Sequence, residues 1–118
     1  MTVTTLRSIA ALKAAGLVTE TLAPQLAEVE AAYAIALPGP LAKLIDGKRF
    51  GDPIARQYVP SPEEMDVKPG EAADPIGDRR HSPVPGLVHR YPDRVLLKAA
   101  STCPVYCRFC FRREMVGP

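Results

Sequence analysis

Apolar residues recur at helical spacing in the first part of the chain. Four of them occupy one face of a predicted helix, at i, i+4, i+7 and i+11: Leu22, Leu26, Val29 and Tyr33. The pattern predicts a helix from about residue 22 to residue 37. Pro24 fits the first turn of this helix, and Pro38-Gly39-Pro40 is expected to end it because proline cannot continue a helix.

Two shorter helices are expected on either side. The first begins near Thr4 or Thr5, either of which can cap it, and ends at Gly16. The other begins at Pro40 and stops at Gly47. The residues expected to face a core are Leu6, Ile9 and Ala10 in the first helix and Leu41, Leu44 and Ile45 in the other. This apolar pattern is typical of ordinary core packing or of an oligomer contact.

Proline changes the pattern in the middle of the chain. Of 13 prolines, only Pro24 precedes position 38, so residues 48–85 are expected to hold few regular elements. Asp-Pro-Ile occurs at 52–54 and at 74–76 and predicts two turns. Ser-Pro-Glu-Glu at 61–64 predicts a short helix start. We interpret 48–85 as a segment that wraps over another surface.

An apolar run at 95–100 leads into the last part of the chain. Val-Leu-Leu-Lys-Ala-Ala is typical of a buried parallel strand. A strand that feeds a reactive loop is the arrangement of an α/β barrel, and a complete barrel needs about 200 residues or more. The expected fold class is therefore α/β: an N-terminal α-helical extension (1–47), a proline-rich wrapping segment (48–85), and the first strand and loop of a truncated TIM-type barrel (86–118).

Composition and charge exclude several classes of protein. The chain has 118 residues, 47% of them hydrophobic, and a formal net charge of +2, so it can form a core and shows no strongly basic surface for nucleic acid. No apolar run approaches the roughly 18–20 residues that span a bilayer. The first residues show no secretory signal. We therefore expect a cytoplasmic protein that binds neither nucleic acid nor membrane.

The candidate chemistry lies in a cysteine loop. All 3 cysteines follow the apolar run in a C-x3-C-x2-C spacing: Cys103, Cys107 and Cys110. Closely spaced thiols without an export signal indicate a metal site rather than disulfides. Thiolates suit iron–sulfur clusters, zinc or copper(I). A cluster held by three cysteines leaves one iron open for chemistry, whereas a zinc site would be completed by His81 or His89.

Basic residues surround these thiols. Six lie between positions 90 and 113, against one acid, Asp93: Arg90, Arg94, Lys98, Arg108, Arg112 and Arg113. Cations near thiolates lower thiol pKa values. Guanidinium groups also bind carboxylate or phosphate in bidentate fashion.

With Phe109 before the last cysteine, the spacing resembles the signature of radical S-adenosylmethionine enzymes. The wider run SPVPGLVHRYPDRVLLK (82–98) followed by CPVYCRFCFRR (103–113) is similar to the lysine 2,3-aminomutase family. Asp52-Pro-Ile and Asp74-Pro-Ile-Gly-Asp78 fit the family's N-terminal region. The resemblance implies the first strand and cluster loop of a radical S-adenosylmethionine barrel, in an N-terminal fragment of a longer protein.

The resemblance also implies an activity. Such an enzyme is an isomerase that moves an amino group of an amino acid from C2 to C3. It uses a [4Fe–4S] cluster, S-adenosylmethionine and pyridoxal 5′-phosphate, through a 5′-deoxyadenosyl radical and a pyridoxal phosphate imine. An external electron donor and a homo-oligomeric full-length protein are expected, with no turnover by the fragment alone.

Site residues follow from the same resemblance. Cys103, Cys107 and Cys110 match the cluster ligands, and Phe109 matches the aromatic residue beside the adenosyl group. Three residues match those near the pyridoxal phosphate: Arg90, Tyr91 and Arg94. Arg112 matches the arginine that binds the substrate carboxylate. Phe111 is similar to the residue at this position in the branch of the family that modifies a lysine for elongation factor P. That branch and a small zinc-binding interaction module are the alternative functions.

Overall fold

The computed structural model describes residues 4–46 and 51–118. Within them the chain is a mixture of short helices and short strands. The strands are β1 (Thr5–Leu6), β2 (Leu37–Pro38), β3 (Leu87–Tyr91) and β4 (Arg94–Leu97). The α-helices are α1 (Ile9–Ala14), α2 (Ala27–Ala32), α3 (Gly39–Ala42) and α4 (Pro53–Tyr58). Three 3-10 helices span Ala23–Leu26, Pro62–Met65 and Arg79–His81.

The core lies among the N-terminal elements. Its buried apolar side chains come from α1, α2 and the segments beside them: Ile9, Leu12, Val18, Leu26, Val29, Ile35 and Leu37. Strands β1 and β2 pair antiparallel, with Leu6 opposite Leu37. This pairing joins the segment before α1 to the segment after α2, beside the core. The Ile9 N–H donates a hydrogen bond to Glu30 Oε1 at 2.9 Å, which ties the start of α1 to α2.

Helix α1 begins later than the sequence predicts. Ser8, and neither Thr4 nor Thr5, is its N-cap, and the Ser8 hydroxyl accepts a hydrogen bond from the Ala11 N–H at 3.1 Å. Residues 5 and 6 are extended because they pair with β2. Ile9 and Leu12, at i and i+3, share the buried face of α1, whereas Ala10 lies off that face and is exposed, against the prediction.

The expected long helix at 22–37 is divided and ends early. A 3-10 turn with Pro24 in its first turn leads into α2, and Tyr33 is already extended at φ −133° and ψ 138°. The prediction of its apolar face is correct, since Leu26 and Val29 are fully buried. The end at Pro38 is wrong because Leu37 is needed in the strand pair.

The third predicted helix is shorter than expected where the structure describes it. Helix α3 ends at Ala42, and Leu44 is exposed rather than buried. Its expected stop at Gly47 lies outside the described residues.

The proline-rich segment contains short capped elements. Asp52 caps α4, and its Oδ1 accepts from the Ile54 and Ala55 N–H groups at 2.9 Å each. Ser61 forms a capping box with Glu64 at the start of the 3-10 helix Pro62–Met65. The helix start expected at 61–64 is therefore confirmed, in 3-10 form.

The predicted buried parallel strand is wrong for the described residues. Arg94–Leu97 forms β4, which pairs antiparallel with β3 and leaves all four of its residues exposed. The chain reverses at Pro92-Asp93, where proline suits the second position of a tight turn. An antiparallel hairpin needs only this turn, whereas a parallel pair needs a long crossover connection. The described strands therefore form antiparallel pairs, and a barrel remains a prediction.

Candidate functional site

The cysteine loop, residues 103–110, presents its thiols to the surface. Cys103 and Cys107 are exposed, Cys110 is half-buried, and all three are free thiols. The Cys110 N–H donates to the Cys107 carbonyl at 3.2 Å, and the Cys103 N–H donates to the Tyr106 hydroxyl at 3.3 Å. Over residues 4–46 and 51–118, no three His, Cys, Asp or Glu side chains are grouped closely enough to hold a metal ion. The loop thus keeps its thiols accessible without gathering them.

Backbone hydrogen bonds hold this loop against the helical region. The N–H of the buried Tyr106 donates to the Ala36 carbonyl at 3.2 Å, next to β2. The Arg108 N–H donates to the Gln57 carbonyl at 2.7 Å, in α4. The loop is therefore fixed on elements distant from it in sequence.

A buried ion pair provides the strongest attachment of the loop. Arg108 Nε and Nη2 donate to the two carboxylate oxygens of Glu64 at 2.9 and 2.7 Å. Arg108 Nη1 donates to the Ala34 carbonyl at 2.9 Å. The side chains of Arg108 and Glu64 are only 6% and 9% exposed. The bidentate geometry and full pairing make Arg108 a structural residue of the loop.

The sequence pattern placed Arg108 only among the basic residues near the thiols. The Ser-Pro-Glu-Glu run predicted a short helix start at 61–64, where the Ser61 N–H donates to Glu64 Oε1 at 3.1 Å. Nothing local indicated that Glu64 also pairs with an arginine 44 positions away.

A cavity of about 530 Å³ opens beside Cys110. Phe109, Phe111 and Tyr33 contribute aromatic walls to it. The guanidinium of Arg113 lies 4.3 Å from the centre of the Tyr33 ring. Burial, and the hydrogen bond that its hydroxyl donates to Glu114, raise the pKa of Tyr33 above its ordinary value. Phe109, the predicted adenosyl neighbour, therefore lines the same cavity as one predicted cluster ligand.

A second cavity, of about 470 Å³, collects the other predicted residues. Its lining includes all four residues matched to pyridoxal phosphate or to the substrate carboxylate: Arg90, Tyr91, Arg94 and Arg112. Arg94 is exposed, lies 4.7 Å from the centre of the Tyr91 ring and contacts Asp93 at 3.5 Å. Three of the four come from the β3–β4 hairpin, and Arg112 follows the cysteine loop. Tertiary structure thus joins two sequence segments around one cavity.

Asp78 lies at the base of this second cavity, and sequence analysis did not single out its side chain. Its carboxylate is 2% exposed and accepts from Arg112 Nε at 2.7 Å and from Arg90 Nη2 at 3.3 Å. Arg90 Nη2 also donates to the Ile76 carbonyl at 2.5 Å. The Asp-Pro-Ile-Gly-Asp run was the only signal for this residue, and it indicated a turn rather than an ion pair.

The hydrogen bond from Arg112 lowers the pKa of Asp78 below its ordinary value of 3.8. Burial opposes this shift, and the charges of Arg112, Arg90 and Lys98 reinforce it. Because the folded chain holds this carboxyl at a lower pKa than the unfolded chain does, the unfolded chain takes up the proton first as pH falls. Ionised Asp78 therefore stabilises the fold above the unfolded-state pKa of about 3.9.

We predict an acid-dependent loss of stability that requires Asp78. In urea unfolding at stepped pH, the stability advantage of the wild-type chain over Asp78→Asn should be complete at about pH 6 and should shrink progressively below about pH 4. The exposed Asp93→Asn is the charge-matched control and should stay close to wild type at neutral pH. A gap between wild type and Asp78→Asn that does not change with acidification would contradict the prediction.

The two histidines belong to no cluster of metal-ligating side chains in the described residues. His81 ends a 3-10 helix and is half-buried, and His89 is exposed on β3. Neither completes a group of three ligands among the described residues.

Comparison with known proteins matches about two thirds of the chain. The chain is 45% identical over 74 residues to L-lysine 2,3-aminomutase of Clostridium subterminale. The match covers 63% of the chain and 18% of that relative. The chain is 38% identical over 82 residues to the enzyme of the same name from Escherichia coli (strain K12), which covers 70% and 24%. The chain is similar to the L-lysine 2,3-aminomutases. The resemblance expected from the sequence is therefore confirmed.

The aminomutase relatives are much longer than the matched region. A third, from Methanococcus maripaludis, is 46% identical over 77 residues, again 18% of its length. The match thus spans only 18% to 24% of the length of these three relatives. No protein-family model matches it. No helix of the described residues is long and apolar enough to cross a membrane.

The donor chemistry fits the cofactors that the aminomutase resemblance implies. Three accessible thiols on one loop are soft donors of the kind that iron–sulfur clusters require. Two guanidinium groups and a phenol beside a cavity suit a phosphate ester.

Proposed function

We propose that this chain forms the cluster loop and part of the cofactor pocket of a radical S-adenosylmethionine amino acid 2,3-aminomutase. The observation that carries the proposal is the second cavity, because residues matched to pyridoxal phosphate and to the substrate carboxylate line it together. These residues come from separate segments, so sequence similarity alone did not require them to meet. The similarity to L-lysine 2,3-aminomutases supports the same assignment.

The proposed roles follow the donor types. Cys103, Cys107 and Cys110 would hold a [4Fe–4S] cluster, and Phe109 would contact the adenosyl group of S-adenosylmethionine. When bound, the cluster, S-adenosylmethionine and pyridoxal phosphate supply the one-electron chemistry that moves an amino group from C2 to C3 of an amino acid. The protein binds these groups, orients them and excludes water.

Each arginine would bind its ligand through N–H donors that are not used within the chain. Arg90 would bind the phosphate group together with Tyr91 and Arg94, and Arg112 would bind the substrate carboxylate. Arg112 uses Nε for Asp78, so its two terminal nitrogens stay available for a bidentate contact with a carboxylate. Free amino acids, with lysine as the first candidate, are the proposed substrate class.

An external reductant and assembly of the full-length protein into a homo-oligomer remain parts of the proposal. So does a cytoplasmic location, together with a radical S-adenosylmethionine barrel whose first strand and loop this chain supplies.

Anaerobic reconstitution tests the proposal. With ferrous iron and sulfide, the 118-residue chain should take up about four irons and four sulfides, as expected for a cubane cluster. Added S-adenosylmethionine should then change the EPR spectrum of the reduced cluster, because one iron has no protein ligand. Stoichiometric zinc without sulfide would favour the zinc-binding module instead. A cluster whose spectrum S-adenosylmethionine leaves unchanged would contradict the open iron.

A further inference from the structure

Arg90 and Arg112 share one buried carboxylate, although their assigned ligands differ. Asp78 Oδ1 accepts from Arg90 and Oδ2 accepts from Arg112. Both arginine side chains are nearly one third exposed, at 29% and 28%, and both line the second cavity. The buried carboxylate of Asp78 therefore contacts two partly exposed guanidinium groups at one cavity.

The donors that remain are suited to anions. A guanidinium has five N–H donors. Arg90 uses only Nη2 and Arg112 uses only Nε toward acceptors in the described part of the chain. Both residues line the same cavity.

The backbone around Asp78 is itself fixed. The Asp78 N–H donates to Asp74 Oδ1 at 2.8 Å, and the Asp78 carbonyl accepts from the Ser82 hydroxyl at 2.7 Å. The Arg79 N–H donates to Asp74 Oδ2 at 2.9 Å. A carboxylate on such a restrained turn can determine where two flexible arginine side chains lie.

We propose that Asp78 is a positioning residue that holds Arg90 and Arg112 together as one preorganised anion-binding pair. It acts by fixing one edge of each guanidinium through its own carboxylate oxygens, Oδ1 for Arg90 and Oδ2 for Arg112. Preorganisation increases affinity because the side-chain entropy is lost on folding rather than on binding. The inference rests on the proposed function, in which Arg90 binds pyridoxal phosphate and Arg112 binds the substrate carboxylate.

A second effect of Asp78 has the opposite sign. Its negative charge offsets one of the two positive charges, so removing it raises the local positive potential and would strengthen anion binding if charge alone mattered. Positioning and charge neutralisation therefore predict opposite changes for Asp78→Asn, which makes the proposal testable.

The test is a pyridoxal phosphate titration of the 118-residue chain, followed by NMR of the arginine Nε–Hε signals. Single Arg→Lys variants assign the signals of Arg90 and Arg112. In the wild-type chain the Arg90 signal should shift along a saturation curve, because pyridoxal phosphate is the ligand proposed for Arg90. In Asp78→Asn the dissociation constant should rise about tenfold to a hundredfold, as expected when charge-assisted hydrogen bonds that hold the pair are lost.

Two further variants complete the test. Asp78→Glu keeps the charge and lengthens the side chain, so it should also weaken binding if position matters, and it decides the question if Asp78→Asn does not fold. Asp93→Asn removes an exposed acid that pairs with Arg94 and should change affinity by about threefold or less.

Unchanged or tighter binding in Asp78→Asn would overturn the proposal. So would unchanged binding in Asp78→Glu. The absence of a saturable shift at Arg90 in the wild-type chain would overturn the pyridoxal phosphate site of the proposed function, and the inference with it. Wild-type binding that the two Asp78 variants do not weaken would count against the role of Asp78 alone.

Discussion

Replacing Arg108 with methionine is expected to lower the free energy of unfolding by about 3–5 kcal/mol. Among the described contacts, Arg108 is the positively charged partner of the buried Glu64 carboxylate, and the substitution removes it. It also removes the hydrogen bond that Arg108 donates to the Ala34 carbonyl. An unpaired buried charge costs far more than an exposed ion pair contributes. Urea unfolding followed by circular dichroism at neutral pH measures the loss.

Arg113→Met is the matched control for this prediction. Arg113 belongs to the same basic run, but its guanidinium lies over the Tyr33 ring and reaches only the backbone carbonyl of Glu64, at 3.4 Å, not the carboxylate. We expect a loss of about 1 kcal/mol or less from Arg113→Met. The double variant Glu64→Met/Arg108→Met should be more stable than Arg108→Met alone, because neither charge is left buried without its partner. A single Arg108 variant as stable as the Arg113 variant would contradict the structural role.

Replacing Cys107 with alanine is expected to abolish assembly of the iron–sulfur cluster. If Cys103, Cys107 and Cys110 are the cluster ligands, removal of the middle one leaves two thiolates, and the chain has no fourth cysteine to take its place. Iron and sulfide analysis after anaerobic reconstitution, together with the visible absorption of the cluster, measures the loss. Retained iron and sulfide at the wild-type level would exclude Cys107 as a ligand.

The fold should survive this substitution. Cys107 is exposed, and surface substitutions usually change stability by no more than about 0.5 kcal/mol. Circular dichroism and urea unfolding of the variant should therefore match the wild-type chain. Thr102→Ala is the control for the loop itself, since Thr102 is exposed, precedes Cys103 and carries no thiol. It should assemble the cluster normally.

The middle segment shows what sequence analysis missed. Residues 48–85 were predicted to carry turns and to wrap over another surface. The helix start at Ser61 agrees with the local prediction, whereas Asp52, expected in a turn, caps the α-helix α4. The segment also supplies two acids that pair with arginines distant in sequence. Glu64 holds the cysteine loop, and Asp78 holds two arginines at the second cavity.

The hairpin shows a different kind of error. Val95, Leu96 and Leu97 form an apolar run, and such a run is equally compatible with a buried parallel strand and with a strand of an exposed hairpin. The Pro92-Asp93 turn was the local signal for the hairpin. Pairing with β3 then decided the direction, because a turn of this length joins only antiparallel neighbours.

Local chemistry is what the sequence by itself determined. The spacing of Cys103, Cys107 and Cys110, the apolar face at Leu26 and Val29, and the helix start at Ser61 all depend on residues within a few positions of one another. Covalent geometry and short hydrogen bonds govern such features. They could therefore be predicted without the fold, and so could the family resemblance that the cysteine spacing carries.

Only the tertiary structure decided which charges meet. The chain has 15 Lys and Arg residues and 13 Asp and Glu residues, so each arginine has many acids of equal local merit. Arg112 reaches Asp78 across 34 positions, and Arg108 reaches Glu64 across 44. Packing of the apolar core and pairing of the strands bring these groups together, and burial then makes each pair specific. The arrangement of the arginines at one cavity is thus a property of the fold rather than of any motif.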